Sequence, residues 1–202
     1  MIDVRCETTT AVLADEAAYR AAFAALPDWR RRKAESFRFV ADRRRSVAAW
    51  LLLCRMLAER GIDAAGLSVS ENEFGKPWFV SRPDVCFSIS HAGDRVMAAV
   101  ADSPVGCDVE RIGPIGEGVA ERCLSPDELQ ALYAIPNGPE RERLFFRLWV
   151  RKESYSKSRG FGLALDFPSF SVLGEKASQT GWFKDYDFGD GYLGCVSLFR
   201  RG

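Results

Sequence analysis

The sequence predicts an α+β fold, and three observations carry that expectation. Two long segments, 42–60 and 140–158, repeat apolar residues at the three-to-four spacing of an amphipathic helix. Short runs of strand length and strand composition, 67–101 and 170–199 in total, follow each of them. Proline and glycine punctuate the chain at Pro27, Gly61, Pro104 and 113–118, where elements should end.

Taken in order, residues 2–7 alternate apolar and polar and read as a strand. The Ala-rich stretch 15–26 sets Tyr19, Phe23 and Leu26 on one side of a helix that Pro27 ends. Asp28 is expected to cap a short helix through Glu35. Asp42 is expected to open the strongest helix, with Val47, Trp50, Leu51, Cys54, Leu57 and Ala58 as its buried stripe and Gly61 as its stop. Strand-like runs come at 67–70, 78–80, 85–90 and 95–101, the last two joined by a turn at 91–94. The break Asp102-Ser103-Pro104 is the boundary candidate, giving units 1–103 and 104–202. A strand-like run, 100–109, leads into the second unit. Residues 113–118 hold three glycines and a proline and read as a mobile loop. Ser125-Pro126-Asp127-Glu128 is a helix start, with a capping serine, a first-turn proline and a third-position glutamate. The helix over 140–158 buries Leu144, Phe145, Leu148 and Tyr155 and leaves Glu153 at the rim of that stripe, beside Trp149. Strand-like segments at 170–173, 181–188 and 192–199 close the chain.

Composition excludes several classes. An apolar content of 47% with 28% charged residues is that of a soluble globular chain. Lys+Arg and Asp+Glu balance at 28 each, so no global field recruits nucleic acid or a membrane surface. The basic clusters 30–33 and 43–45 carry little aromatic interleaving and read mostly as solvated helix faces. Six cysteines without a C-x-x-C pair, and one histidine, argue against zinc. The N-terminus lacks the regions of a signal peptide, and the longest apolar run, 47–54, is too short to span a bilayer. The expectation is a cytoplasmic protein with reduced thiols.

Two stretches carry chemistry. Gly106-Cys107-Asp108-Val109-Glu110 sets two carboxylates two residues apart on a strand, so they point together while Cys107 and Val109 enter packing. Trp149-Val150-Arg151-Lys152-Glu153-Ser154-Tyr155-Ser156-Lys157 makes Glu153 and Lys157 helical neighbours. Packed side by side, these elements bring three carboxylates together beside a cation. Such an oxygen-rich cluster suits Mg²⁺ and, through it, phosphate chemistry. Taken alone, each has a plainer reading: a solvated strand edge, and surface helix ion pairs contributing ~0.3–0.5 kcal/mol.

With Gly75-Lys76-Pro77 and Phe87-Ser88-Ile89-Ser90-His91 before them and Gly160, Gly162 and Leu163 after, the two stretches resemble the Sfp-type 4′-phosphopantetheinyl transferases. That family shows G-K-P, S-[IL]-S-H, G-[IV]-D-[IV]-E and W-x-x-K-E-[AS]-x-x-K, and order and spacing match over 74–163. The resemblance implies two similar α+β lobes in a pseudo-twofold arrangement, active site between them, and a typical monomer. It implies transfer of the 4′-phosphopantetheine arm of coenzyme A to a serine of an apo carrier protein, releasing adenosine 3′,5′-bisphosphate. Asp108, Glu110 and Glu153 are then the Mg²⁺ ligands, Glu153 also the general base, and Lys157 the holder of the pyrophosphate. Lys152 either shares that task or orients Glu153. Arg45, Lys76, Ser90 and His91 become contacts to coenzyme A, although family lysines just upstream of Arg45 are replaced by Arg38 and Val40; the basic residues near 30–33 are the next candidates for the 3′-phosphate. The carrier is expected near 113–118 and the helix after Ser125. The competing reading is a coenzyme A-binding module without turnover.

Overall fold

The computed structural model describes residues 1–199. Strand β1 (Ile2–Thr8) runs into a single helical turn, α1 (Thr9–Val12). The Ala-rich stretch is α2 (Glu16–Ala24), capped by Asp15, whose carboxylate accepts from the Ala18 N–H at 2.7 Å. Pro27, not Asp28, takes the cap position of α3 (Asp28–Glu35); Asp28 sits inside the first turn, where its charge suits the positive end of the helix. Helix α4 (Val40–Ala58) starts two residues before Asp42, which pairs with Arg45 one turn on instead of capping. Its buried surface is wider than the expected stripe. Ala48, Ala49, Leu52, Leu53 and Met56 are sealed along with Val47, Trp50 and Leu57, while Ala58 is exposed.

Strands β2 (Val69–Glu71) and β3 (Pro77–Phe79) form a small ribbon. Strands β4 (Cys86–Ala92) and β5 (Arg95–Ala101) form a hairpin tighter than expected: His91 and Ala92 still pair with Val96 and Arg95, leaving Gly93-Asp94 as the turn. The expected run 100–109 is two strands, because β5 ends at Ala101 and β6 (Val105–Arg111) begins after the Pro104 break. Helix α5 (Val119–Cys123) follows the Gly-rich loop. Helix α6 (Pro126–Tyr133) starts with the expected capping box, and α7 (Pro139–Arg159) spans the long apolar pattern. The stretch 170–173 is not a strand. Its Val172 N–H goes to the Glu128 carboxylate at 2.7 Å rather than to a neighbouring strand. Helix α8 (Gly174–Thr180) and the hairpin β7 (Trp182–Gly189) and β8 (Tyr192–Leu198) end the chain.

The two main sheets are antiparallel, with orders β1-β5-β4 and β6-β8-β7. In each, the first strand of its half forms one edge and the second strand of a late hairpin takes the centre, so the halves repeat one topology. Strand β5 is buried on both faces. Val96, Ala98 and Val100 pack beneath α4, whereas Met97, Ala99 and Ala101 pack with Val105, Cys107 and Val109 of β6. A third cluster joins α5, α6 and α7 through Leu124, Leu132, Phe145 and Leu148. Edge strands β4 and β6 run beside each other and are stitched by Ser88, whose hydroxyl accepts the Cys107 N–H at 3.0 Å. Among the described residues, no helix is long and apolar enough to cross a membrane.

Candidate active site

Gly106 decides how closely β6 and α7 approach. A Cβ there would overlap the Ser154 carbonyl oxygen and the Ser158 amide nitrogen, so the missing side chain lets the helix backbone lie directly on the strand. Strand alternation then turns Asp108 and Glu110 toward α7, with Cys107 and Val109 sealed on the other side. Glu153 and Lys157, one turn apart, complete the group. All four line a cleft of about 570 Å³ that also takes Arg30, Lys33, Phe37, Ser90 and His91 from the first half of the chain.

Asp108 is 3% exposed. Its Oδ1 accepts from Lys157 Nζ at 2.6 Å and from the Ser90 hydroxyl at 2.7 Å. Its Oδ2 is buried with no hydrogen-bond partner among the described residues. Trp149 Nε1 donates to Glu110 at 3.4 Å. Burial, and after it the Asp108 charge, raises Glu110 to about 7. Burial raises Glu153 to about 7 as well, with Lys157 opposing and Asp108 reinforcing the shift. Burial opposes charge on Lys157, yet Asp108 and Glu153 outweigh it and raise its pKa. One ammonium group thus bonds Asp108 and acts electrostatically on Glu110 and Glu153 as well. An orphaned carboxylate oxygen and two carboxyls resisting ionisation fit an oxygen-preferring dication, which would supply the missing positive charge. As the side chains stand, no three His, Cys, Asp or Glu groups among the described residues are gathered closely enough to hold a metal ion, and Asp108 Oδ1 is paired with Lys157.

The other expected contacts separate into two groups. Ser90 and His91 line the cleft. Burial, then the charges of Lys157 and Arg45, holds His91 down to about 4, so its imidazole is neutral, edge-on to Phe37 at 5.6 Å. Lys76 lines the cleft too, but its ammonium group donates to the carbonyls of Val105, at 2.7 Å, and Lys157. It is a tie between the halves, and burial lowers it to about 8. Arg45 does not line the cleft; it bonds Asp42 and the Gly93 carbonyl, bracing the turn next to His91. Lys152 is not among the residues that line the cleft. It projects from α7 away from the cleft, fully buried, with Nζ 2.8 Å from Glu128 and 2.6 Å from the Phe167 carbonyl, over the Phe170 ring.

Two residues of the second-choice basic cluster 30–33, and one glutamate outside the expected set, also have a place here. Arg30 and Lys33, three apart on α3, share one helix face and reach the cleft wall. Arg30 is 6% exposed, bonds Ser46 at 2.7 and 2.8 Å, and keeps a buried Nε without a partner among the described residues; burial lowers it to about 10. Glu128, expected only as a helix-start glutamate, is fully buried and bonds the N–H groups of Ser125 and Val172 besides Lys152. The spacing of Arg30 and Lys33 after Pro27 was the available signal; nothing local marked Glu128 as the partner of a lysine on α7.

Residues 14–103 match the family described as 4′-phosphopantetheinyl transferase, N-terminal, and residues 104–190 match the 4′-phosphopantetheinyl transferase superfamily. The chain is 36% identical over 150 residues to a 4′-phosphopantetheinyl transferase of Bacillus subtilis, covering 74% of this chain and 66% of that one. It is 37% identical over 160 residues to the 4′-phosphopantetheinyl transferase psf-1 of Bacillus pumilus, covering 78% and 68%. It is 31% identical over 178 residues to the 4′-phosphopantetheinyl transferase Sfp of Bacillus subtilis (strain 168), covering 83% and 79%.

Proposed function

The chain belongs to the Sfp-type 4′-phosphopantetheinyl transferases, and from that premise we propose how its own residues transfer the 4′-phosphopantetheine arm of coenzyme A to a serine of an apo carrier protein. The reading divides the chain into a nucleotide-holding lobe, 1–103, and a lobe bearing the carboxylates, 104–202. The observation that supports it best is the convergence of Asp108, Glu110, Glu153 and Lys157 on one cleft.

Asp108, Glu110 and Glu153 would hold Mg²⁺, which when bound neutralises the pyrophosphate oxygens and the charge developing on them. Lys157 meets the same pyrophosphate as a point charge. Glu153, facing the same cleft, is placed to take the serine proton, directly or through one water. The serine oxygen then bonds to the β-phosphorus as the bond to the bridging oxygen breaks, and that electron pair leaves on adenosine 3′,5′-bisphosphate. Arg30, with an Nε unpartnered among the described residues, and Lys33 line the same cleft as His91, whose neutral imidazole carries one N–H to offer; together they suit the 3′-phosphate at the nucleotide end. Buried and half-buried cysteines outside any disulfide, among the described residues, suit a cytoplasmic setting.

The test is intact mass. Apo carrier domains of fatty-acid, polyketide, peptide-synthetase and lysine-pathway type, incubated with coenzyme A, Mg²⁺ and this protein, should gain one phosphopantetheine group, and EDTA should stop the gain. Coenzyme A binding without modification of any carrier would leave the binding-module reading in its place.

A further inference from the structure

One side chain shapes the turn between β2 and β3 and also crosses to the other half of the chain. Asn72 Oδ1 accepts from the backbone N–H groups of Phe74, at 3.0 Å, and Lys76, at 2.9 Å. Gly75, at φ 78°, supplies the left-handed residue this tight turn requires. The other end of the same amide, Nδ2, donates to the Gly160 carbonyl at 2.8 Å, at the C-terminal end of α7. Gly160 has φ 81°, and a Cβ there would press on Asn72 Nδ2 at 2.9 Å, so the two positions fit as a pair. Phe74, Gly75 and Gly160 all line the cleft, and α7 carries Glu153 and Lys157.

We propose that Asn72 is a positioning residue: by clamping the 74–76 turn to the end of α7, it sets the width of the cleft that receives coenzyme A. The inference rests on the reading of the cleft given above. A planar amide is suited to the place because it holds an acceptor and a donor at fixed separation. Aspartate separates the two roles. It keeps both acceptor bonds to the turn, loses the donor, and sets carboxylate oxygen against the Gly160 carbonyl oxygen. Asn72 itself is exposed, so its replacement spares the core.

The experiment is calorimetric titration of coenzyme A with Mg²⁺ into wild type, Asn72→Asp and Asn72→Ala, with KM and kcat on a carrier substrate and melting temperatures alongside. Both variants should bind coenzyme A about tenfold more weakly and show a matching rise in KM. Their kcat should stay within about twofold of wild type. Melting temperatures within a few degrees of wild type separate this from general loss of structure. If Asn72→Ala does not fold, Asn72→Asp, which keeps the turn, carries the test. Variants that bind coenzyme A as wild type does, or lose kcat with unchanged affinity, overturn the role of Asn72 while leaving the cleft reading intact. Wild type that takes no coenzyme A overturns both.

Discussion

Replacing Lys152 with methionine separates a structural lysine from a phosphate-binding one. The substitution keeps most of the volume but removes the cation from a site with 0% exposure on both sides of the ion pair. Glu128 then stays buried with two backbone N–H partners and no counter-charge, and the Phe167 and Phe170 carbonyls lose their donor. Breaking a buried pair from one side costs about 3–5 kcal/mol, and the two N–H bonds left to Glu128 place this case near the lower figure. For a chain of this size each kcal/mol moves the melting temperature by roughly 2–4 °C, so a drop of about 6–12 °C is expected. Adding Glu128→Gln removes the stranded charge and should recover part of the loss. Because Lys152 points away from the cleft, coenzyme A affinity measured at 20 °C should change by no more than about twofold. An unchanged melting temperature together with a tenfold loss of affinity would show that Lys152 reaches the ligand and that its burial counts for little.

Asp108→Asn, Glu110→Gln and Glu153→Gln should each lower the maximal rate by roughly a hundredfold or more while the protein still folds; near-normal turnover of Glu153→Gln removes it as the base. Burial raises Glu110 and Glu153 to about 7, above their unfolded values, so the native state holds protons that the unfolded state has released. Their contribution to stability is therefore full below about 4.5 and lost as pH rises through about 7. Metal-free protein should melt at lower temperature across that window, and Mg²⁺ should flatten the fall. Lys33→Ala should raise KM for coenzyme A roughly tenfold and matter little with dephospho-coenzyme A, whereas Arg45→Ala should move either by no more than about twofold. Equal losses with both substrates would take Lys33 away from the 3′-phosphate.

The fold was legible where one element decided its own shape. The pattern over 140–158 and the Ser125 capping box reproduce α7 and the start of α6 because helix period and cap chemistry are local. So were the carboxylates, since alternation on β6 and the four-residue spacing on α7 each select one face. What was not legible depended on partners distant in sequence. Val172 reads as strand-like, yet the carboxylate of Glu128 takes its N–H. Lys152 sits beside Glu153 in sequence, but the step of about 100° between helical neighbours turns it off that face, toward that same Glu128. Lys76 and Arg45 are ordinary basic side chains until backbone carbonyls claim them.

At Gly106 the strand and the helix touch main chain to main chain, with no side chain between them to act as a spacer. The gap between the carboxylates of β6 and those of α7 is therefore a one-sided tolerance. Glycine is already the smallest residue, so any change at 106 can only widen the gap and none can narrow it. Substitutions in the clusters beneath β5 or around α6 relax against flexible neighbours, whereas this contact has only backbone to yield. The site can thus keep its dimensions while the packing around it drifts, and a single added methyl group at 106 would displace Asp108 and Glu110 together from Glu153 and Lys157.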